Sequence, residues 1–122
     1  MAKKIDKDTI KLHDVIIEAI QEKKGDNIIS IGLSEIEGSV SDFFIITSAN
    51  STTQVDAIAN EVQEQTREKL KEKVWKKEGE DNSQWILMDY GSIVVHVFQT
   101  PYREFYKIEE LWADGKLSTY ES

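Results

Sequence analysis

The spacing of hydrophobic residues in the first part of the chain predicts one helix followed by two strands. Asp6 or Asp8 can cap the start of the helix, and Gly25 can end it. Residues 28–33 alternate loosely, and residues 43–47 are nearly all apolar, so both segments predict short strands. The apolar side of the helix is formed by residues at helical spacing: Leu12, Val15, Ile16, Ala19 and Ile20.

A second helix, a short strand and a β-hairpin follow. Ser51 and Gln54 have the spacing of a capping box at the start of the helix. Residues 74–77 predict an edge strand, whose lysines suit an exposed sheet edge. Two apolar runs between Trp85 and Phe98 flank a polar, glycine-containing turn, which is typical of a hairpin. Since the second run is apolar on both faces, it predicts an interior strand.

The C-terminal part predicts a last helix and a tail. Pro101 suits the first turn of a helix. The apolar face of this helix is expected to contain Phe105, Ile108, Leu111 and Trp112. Residues 117–122 are expected to form a loose tail. The element order is then α-β-β-α-(β)-β-β-α. It predicts an α/β fold, in which helices cover one mixed sheet of about four or five strands in a single domain over residues 1–122.

Composition and charge narrow the functional classes. The 122 residues include no cysteine, which excludes disulfides, thiolate catalysis and cysteine-ligated zinc. The net charge of −8 disfavours nucleic acid as the primary partner, because such binding depends on basic residues that neutralise phosphates. The N-terminus lacks an apolar leader and no segment has the length of a membrane span, so we expect a cytoplasmic protein without a membrane partner.

Candidate catalytic residues are few. His13 is expected at the margin of the first helix's apolar stripe, and His96 is expected to be a core histidine satisfied by one hydrogen bond. Two histidines cannot form a three-histidine metal site. The chain has no G-x-S-x-G motif for a serine nucleophile and no glycine-rich phosphate loop, so no cofactor is expected.

One enzymatic alternative comes from acidic residues near strand ends. Gly38 and Ser39 precede Asp42 at the head of a strand, and Asp89 lies on a later strand. This arrangement has a faint likeness to nucleotidyltransferases, in which several carboxylates hold magnesium and triphosphate oxygens. The position two after Asp42 is Phe44, so a second ligand there is absent. A divergent magnesium-dependent nucleotidyltransferase remains the alternative function.

The hairpin also carries two large aromatic residues. Strand alternation places Trp85 and Tyr90 on opposite faces of the sheet, so at least one points away from the helix-covered side. Trp and Tyr are common anchors of protein–protein contacts. They also occur in protein cores, and spacing alone leaves both interpretations open.

Three blocks of the chain resemble the ribosomal silencing factor family, also called Iojap-like proteins. They are S-D-F-F-I-I-T-S-A-N-S (41–51), W-I-L-M-D-Y-G-S-I-V-V-H-V-F (85–98) and R-E-F-Y-K-I-E-E-L-W-A-D (103–114). The likeness covers nearly the whole chain in order, and the second and third blocks together are highly specific. The chain departs from the family at Ser92, where an aspartate is frequent, and at Ser48 to Ser51, where T-G-T-S is frequent.

The resemblance implies a domain related to the nucleotidyltransferase fold, without catalysis. It also implies binding to the large ribosomal subunit through its protein fourteen, which blocks joining with the small subunit and represses translation when nutrients are scarce. The residues implied to contact that partner are Trp85, Asp89, Tyr90, Gly91 and Ser92, with His96 on the same hairpin. A homodimer of the free protein stays a further alternative, because the hairpin and the exposed edge would also suit it.

Overall fold

The computed structural model describes residues 5–36 and 38–122, which form helices and strands in the predicted order with additions near the C-terminus. The helices are α1 (Lys7–Glu22), α2 (Thr52–Leu70), α3 (Thr100–Tyr106) and α4 (Ile108–Leu111). The strands are β1 (Asp26–Gly32), β2 (Phe43–Ala49), β3 (Lys76–Glu78), β4 (Trp85–Asp89), β5 (Ile93–Gln99) and β6 (Lys116–Tyr120).

The strands form one mixed sheet in the order β3-β4-β5-β2-β1-β6. Among the pairings of the described strands, β2 with β5 is parallel and the other four are antiparallel. The predicted α/β fold with a mixed sheet is therefore confirmed. So are the edge position of β3 and the interior position of β5.

Side-chain caps fix the starts of the two long helices. The Asp8 N–H donates to Asp6 Oδ1 at 2.8 Å, which makes Asp6 the cap of α1. The Gln54 N–H donates to Ser51 Oγ at 3.1 Å at the start of α2. Both bonds satisfy backbone donors that have no partner within the helix. The side chain of Gln54 does not complete a capping box, because it donates to the carbonyl of Lys23 instead.

The two long helices cover one face of the sheet, and the largest apolar cluster lies between them and the strands. Its centre includes Ile16, Ile20, Ile45, Ile58 and Val95, all with no exposed area. The opposite face has a smaller cluster, formed by Ile29, Ile31, Leu33, Ile46, Phe98 and Ile108. We call these the helix-covered face and the open face.

The prediction of a loose tail over residues 117–122 was wrong. Strand β6 pairs with β1 in an antiparallel register from Ile28↔Tyr120 to Gly32↔Lys116. It satisfies backbone groups along the outer edge of β1. The tail's Thr and Tyr are residues that favour strands, although its side chains are mostly exposed and gave no apolar signal. The sheet therefore has six described strands, where four or five were predicted.

The prediction of a single last helix was also wrong. Lys107 adopts a left-handed conformation with φ of 48°, and its N–H donates to the Arg103 carbonyl at 3.0 Å, which ends α3. The chain changes direction before α4. Ile108 is buried as predicted, whereas Phe105 is 78% exposed and Leu111 75% exposed. The apolar residues assigned to a core-facing stripe are thus divided between the core and the surface.

Candidate docking surface on the hairpin

Strands β4 and β5 form the predicted hairpin, and its turn is held by the residues that the sequence singled out. Gly91 has a φ of +84°, a conformation that glycine adopts without strain. Asp89 Oδ1 accepts from the Gly91 N–H at 2.7 Å. The Tyr90 N–H donates to the Ile93 carbonyl at 2.8 Å, and Ser41 Oγ donates to the Gly91 carbonyl at 3.0 Å. The turn is therefore closed and also tied to the segment that precedes β2.

Side chains of β4 alternate between the two faces of the sheet. Ile86 and Met88 are buried beneath α1 and α2, on the helix-covered face. Trp85, Leu87 and Asp89 lie on the open face and are each partly exposed. This face of the hairpin is therefore accessible to a partner.

Trp85 is held in place by aromatic contacts on the open face. Its ring is stacked on Phe98, with centroids 4.7 Å apart, and lies 4.9 Å from the ring of Tyr106. Its Nε1–H donates to His96 Nδ1 at 3.1 Å. Because three neighbours fix the ring, its orientation is set before any partner arrives.

His96 is buried beneath this surface, as predicted. It is 5% exposed, and burial lowers its pKa to about 4, so the ring is neutral at neutral pH. Nδ1 accepts the bond from Trp85, which places the ring proton on Nε2. Among the described residues Nε2 has no hydrogen-bond partner. The function of His96 visible in this geometry is to support Trp85.

Tyr90, which the resemblance places among the contact residues, does not present its ring at the surface. It is 4% exposed and lies on the helix-covered face, opposite to Trp85 as strand alternation requires. Its hydroxyl lies 2.8 Å from Thr66 Oγ1 on α2, and burial raises the pKa of the phenol. Tyr90 thus attaches the turn to α2.

Two aromatic side chains of α3 extend the accessible area, and the sequence had placed one of them, Phe105, on a core-facing stripe. Phe105 and Tyr106 contact each other at 5.1 Å, and Tyr106 reaches Trp85. We call the area formed by Trp85, Leu87, Asp89, Phe105 and Tyr106 the hairpin surface. The available signal was Pro101, which fixes the start of α3, but nothing in the spacing indicated that the helix ends at Lys107.

Trp75 is a further exposed aromatic residue that the sequence did not single out. It is 77% exposed and precedes β3, and its N–H donates to the Asp89 carbonyl at 2.8 Å. Its ring lies against the turn, so that a Cβ atom at Gly91 would be only 2.7 Å from Trp75 Cη2. The positive φ therefore favours glycine at position 91, and any side chain there would also have to displace the exposed Trp75 ring.

The two aspartates of the enzymatic alternative lie at the ends of strands that are not neighbours in the sheet. Asp42 precedes β2 and is 5% exposed; its N–H donates to the Ser92 carbonyl at 2.7 Å. Asp89 ends β4, and β5 lies between β4 and β2. The carboxylate of Asp89 is bound to the turn, as described above. Within residues 5–36 and 38–122, no group of three or more His, Asp or Glu side chains is arranged to hold a metal ion.

His13 is buried more deeply than its predicted position at the stripe's margin. It is 7% exposed, and its Nε2 lies 2.7 Å from Ser30 Oγ on β1. This pair is remote from the hairpin in the sheet order and makes no contribution to the hairpin surface.

Comparison with known proteins gives the family of the chain and agrees with its fold. The family model described as "Ribosomal silencing factor during starvation" matches residues 6–122. The chain belongs to the ribosomal silencing factor family. It is 39% identical to the ribosomal silencing factor RsfS of Bacillus subtilis over 100 residues, which cover 82% of this chain and 83% of the relative.

The chain is also similar to a plant protein and to a bacterial protein of known crystal structure. The chain is 40% identical over 73 residues to the chloroplastic protein Iojap of Zea mays, covering 60% of this chain and 31% of that protein. A crystal structure of a Chromobacterium violaceum protein is similar with a TM-score of 0.81 and 33% identity, covering 93% of this chain and 92% of that one. The resemblance to ribosomal silencing factors and Iojap-like proteins is thereby confirmed.

In the part of the chain that the structure describes, no helix is both long enough and apolar enough to cross a bilayer.

Proposed function

We propose that this silencing-family protein represses translation by binding the large ribosomal subunit through its protein fourteen, where it sterically blocks joining with the small subunit. Repression would operate under nutrient limitation. The observation that carries the proposal is the hairpin surface, an accessible aromatic area held rigid on the open face of the sheet. Membership of the ribosomal silencing factor family supports the ribosome as the partner.

The contact residues have two kinds of role in this proposal. Trp85 is the anchor, with Asp89, Gly91 and Ser92 of the turn at the edge of the contact. All four are partly exposed. His96 and Tyr90 act from below: the first holds Trp85 by its hydrogen bond, and the second holds the turn through Thr66. Aromatic anchors supported by packed neighbours are typical of interface hot spots.

Charge favours a basic protein as the immediate partner. The net charge of −8 repels ribosomal RNA at long range and attracts a basic ribosomal protein. Asp89 places one of these negative charges on the hairpin surface itself. A contact of ordinary size would bury about 1,600 Å² in total. Electrostatic attraction would speed the encounter, and the aromatic contact would supply most of the affinity.

Steric repression needs no catalytic residue, so the proposed role is regulatory. It requires the ribosome's own compartment, for which the sequence predicts the cytoplasm. The nucleotidyltransferase alternative requires Asp42 and Asp89 to share metal ions, and β5 separates their strands. A homodimer through the hairpin surface would use the same aromatic residues and would therefore compete with ribosome binding.

The test is sucrose-gradient sedimentation of purified ribosomal subunits with and without the protein. We expect the protein to move with the large subunit and the fraction of joined ribosomes to fall. Joined ribosomes at an unchanged level, with the protein at the top of the gradient, would contradict the proposal. Heat from binding of a nucleoside triphosphate with magnesium, lost in Asp42→Asn, would support the enzymatic alternative instead.

A further inference from the structure

A groove of about 510 Å³ lies between α1 and the outer strands β1 and β6, away from the hairpin surface. Volumes of this order are typical of sites for small molecules. Ser30 and Gly32 of β1 and Lys116 and Ser118 of β6 line it from the sheet. The other lining residues are Ile5, His13, Ser34, Glu35, Ile36, Phe43, Asp114 and Tyr120.

A serine and a histidine that line this groove are hydrogen-bonded to each other, and the histidine also contacts Asp14 outside the groove. His13 Nε2 lies 2.7 Å from Ser30 Oγ, and His13 Nδ1 lies 3.2 Å from Asp14 Oδ1. The carboxylate can only accept, so the neutral imidazole keeps its proton on Nδ1. Nε2 is then the acceptor of the Ser30 hydroxyl proton. A nucleophile bonded to a base, with the base oriented by a third group, is the arrangement of activated serines.

The serine and the histidine are buried, whereas the aspartate is exposed. Ser30 is 2% exposed and His13 is 7% exposed, yet both line the groove. Asp14 has a side chain that is 68% exposed and contacts the imidazole from the solvent side. The base is therefore fixed between the floor of the groove and a solvated carboxylate. A serine hydroxyl that is hydrogen-bonded to a base at the wall of a cavity can react with a molecule that enters the cavity.

We propose that Ser30 is a nucleophile, activated by His13 and oriented through Asp14, that accepts acyl groups from small uncharged esters. The groove selects against anions, because Glu35 and Asp114 contribute negative charge to its wall. Ile36, Phe43 and Tyr120 provide apolar contacts for the acyl group. Lys116 provides a positive charge for the oxygen anion that develops on the ester carbonyl.

The acylation step balances with these groups alone. Ser30 Oγ attacks the carbonyl carbon while its proton moves to His13 Nε2. The bond from Oγ to carbon forms, the bond from carbon to the ester oxygen breaks, and the leaving alcohol takes the proton from His13. Water can later hydrolyse the acyl-serine by the same proton transfers in reverse.

The experiment uses the full chain and p-nitrophenyl acetate. Nitrophenolate release is followed by absorbance, and peptide mass spectrometry locates the acetyl group. We expect acetylation at Ser30 that Ser30→Ala eliminates. His13→Gln should slow it by about 100-fold, the lower end of what a general base supplies. Ser118→Ala is the matched control, because Ser118 faces Ser30 across the strand pair and lines the same groove.

Asp14→Asn provides a second variant in case His13→Gln fails to fold, because the exposed Asp14 side chain can change without loss of packing. It should slow acetylation of Ser30 and leave the melting temperature unchanged. Acetyl groups on lysines only, equal acetylation of Ser30 and Ser118, or an unchanged rate in folded His13→Gln would each overturn the proposal. The hydrogen bond would then only satisfy two buried polar groups.

Discussion

The two faces of the sheet differ in what covers them. Long helices pack on one face and leave central side chains such as Ile16, Ile58 and Val95 with no exposed area. The open face is covered by two short helices, and it leaves Phe105 and Tyr106 exposed beside a half-buried Trp85. Burial on the first face supplies stability, and incomplete burial on the second leaves area for a partner. The difference predicts that stability and binding can be altered separately.

The largest expected effect is on the helix-covered face. Ile58→Ala removes a side chain with no exposed area from between α2 and the sheet, and should cost about 2–5 kcal/mol of unfolding free energy. Urea denaturation measures it. The protein that remains folded should bind large subunits with unchanged affinity, since no atom of the hairpin surface is altered. A loss of binding by the folded fraction would contradict the separation of the two faces.

A second effect concerns the pH dependence of the open face. The folded pKa of His96 is about 4, and an unfolded histidine titrates near 6.5. Above pH 6.5 His96 is neutral in both the folded and the unfolded protein, so its protonation takes nothing from the unfolding free energy. Between pH 6.5 and 4 the unfolded state binds the additional proton, so stability should fall by up to roughly 3 kcal/mol.

The measurement for His96 is the difference between the wild-type protein and His96→Gln in unfolding free energy at pH 7 and pH 5. Every other group is the same in the two proteins, so its contribution cancels in the difference. The wild type should lose more stability than the variant. Parallel loss in the two proteins would show that His96 is more accessible to protons than its burial indicates.

A third effect tests the anchor itself. Trp85→Ala should weaken binding to large subunits by about 2 kcal/mol or more, which is roughly 30-fold in affinity. Ile86→Ala is its control, because Ile86 is the next residue on β4 and faces the helices. The control should lose stability and keep its affinity. If folded Trp85→Ala bound with the same affinity as the wild type, Trp85 would not be part of the contact.

The sequence predicted the parts of the fold that a regular pattern encodes. The stripe of α1 and the apolar runs of β2 and β5 have a spacing that depends on burial, and the turn has the glycine that a tight hairpin favours. Strand β6 escaped prediction because its side chains are mostly exposed and its place depends on the unpaired edge of β1. The break at Lys107 escaped because a single left-handed residue interrupts an otherwise continuous apolar period.

The sequence predicted the candidate sites only in part, for the same reason. Trp85 and the turn were found from local sequence, whereas Phe105 joins them only through the tertiary arrangement of α3. The pair of His13 and Ser30 is separated by 17 positions and has no motif. Its geometry depends on how α1 lies over β1, which no local pattern specifies. At both sites, the contacts between elements are what the sequence left undetermined.

The smallest effect distinguishes support of the turn from contact with a partner. Tyr90→Phe removes the hydroxyl that bonds to Thr66 and retains the buried ring, so it should cost about 1 kcal/mol of stability. Affinity for the large subunit should not change, because the ring lies on the helix-covered face. Thermal unfolding and co-sedimentation measure the two quantities. Weaker binding with unchanged stability would instead place the phenol hydroxyl in the contact, and the turn would then have to open from α2 when the partner binds.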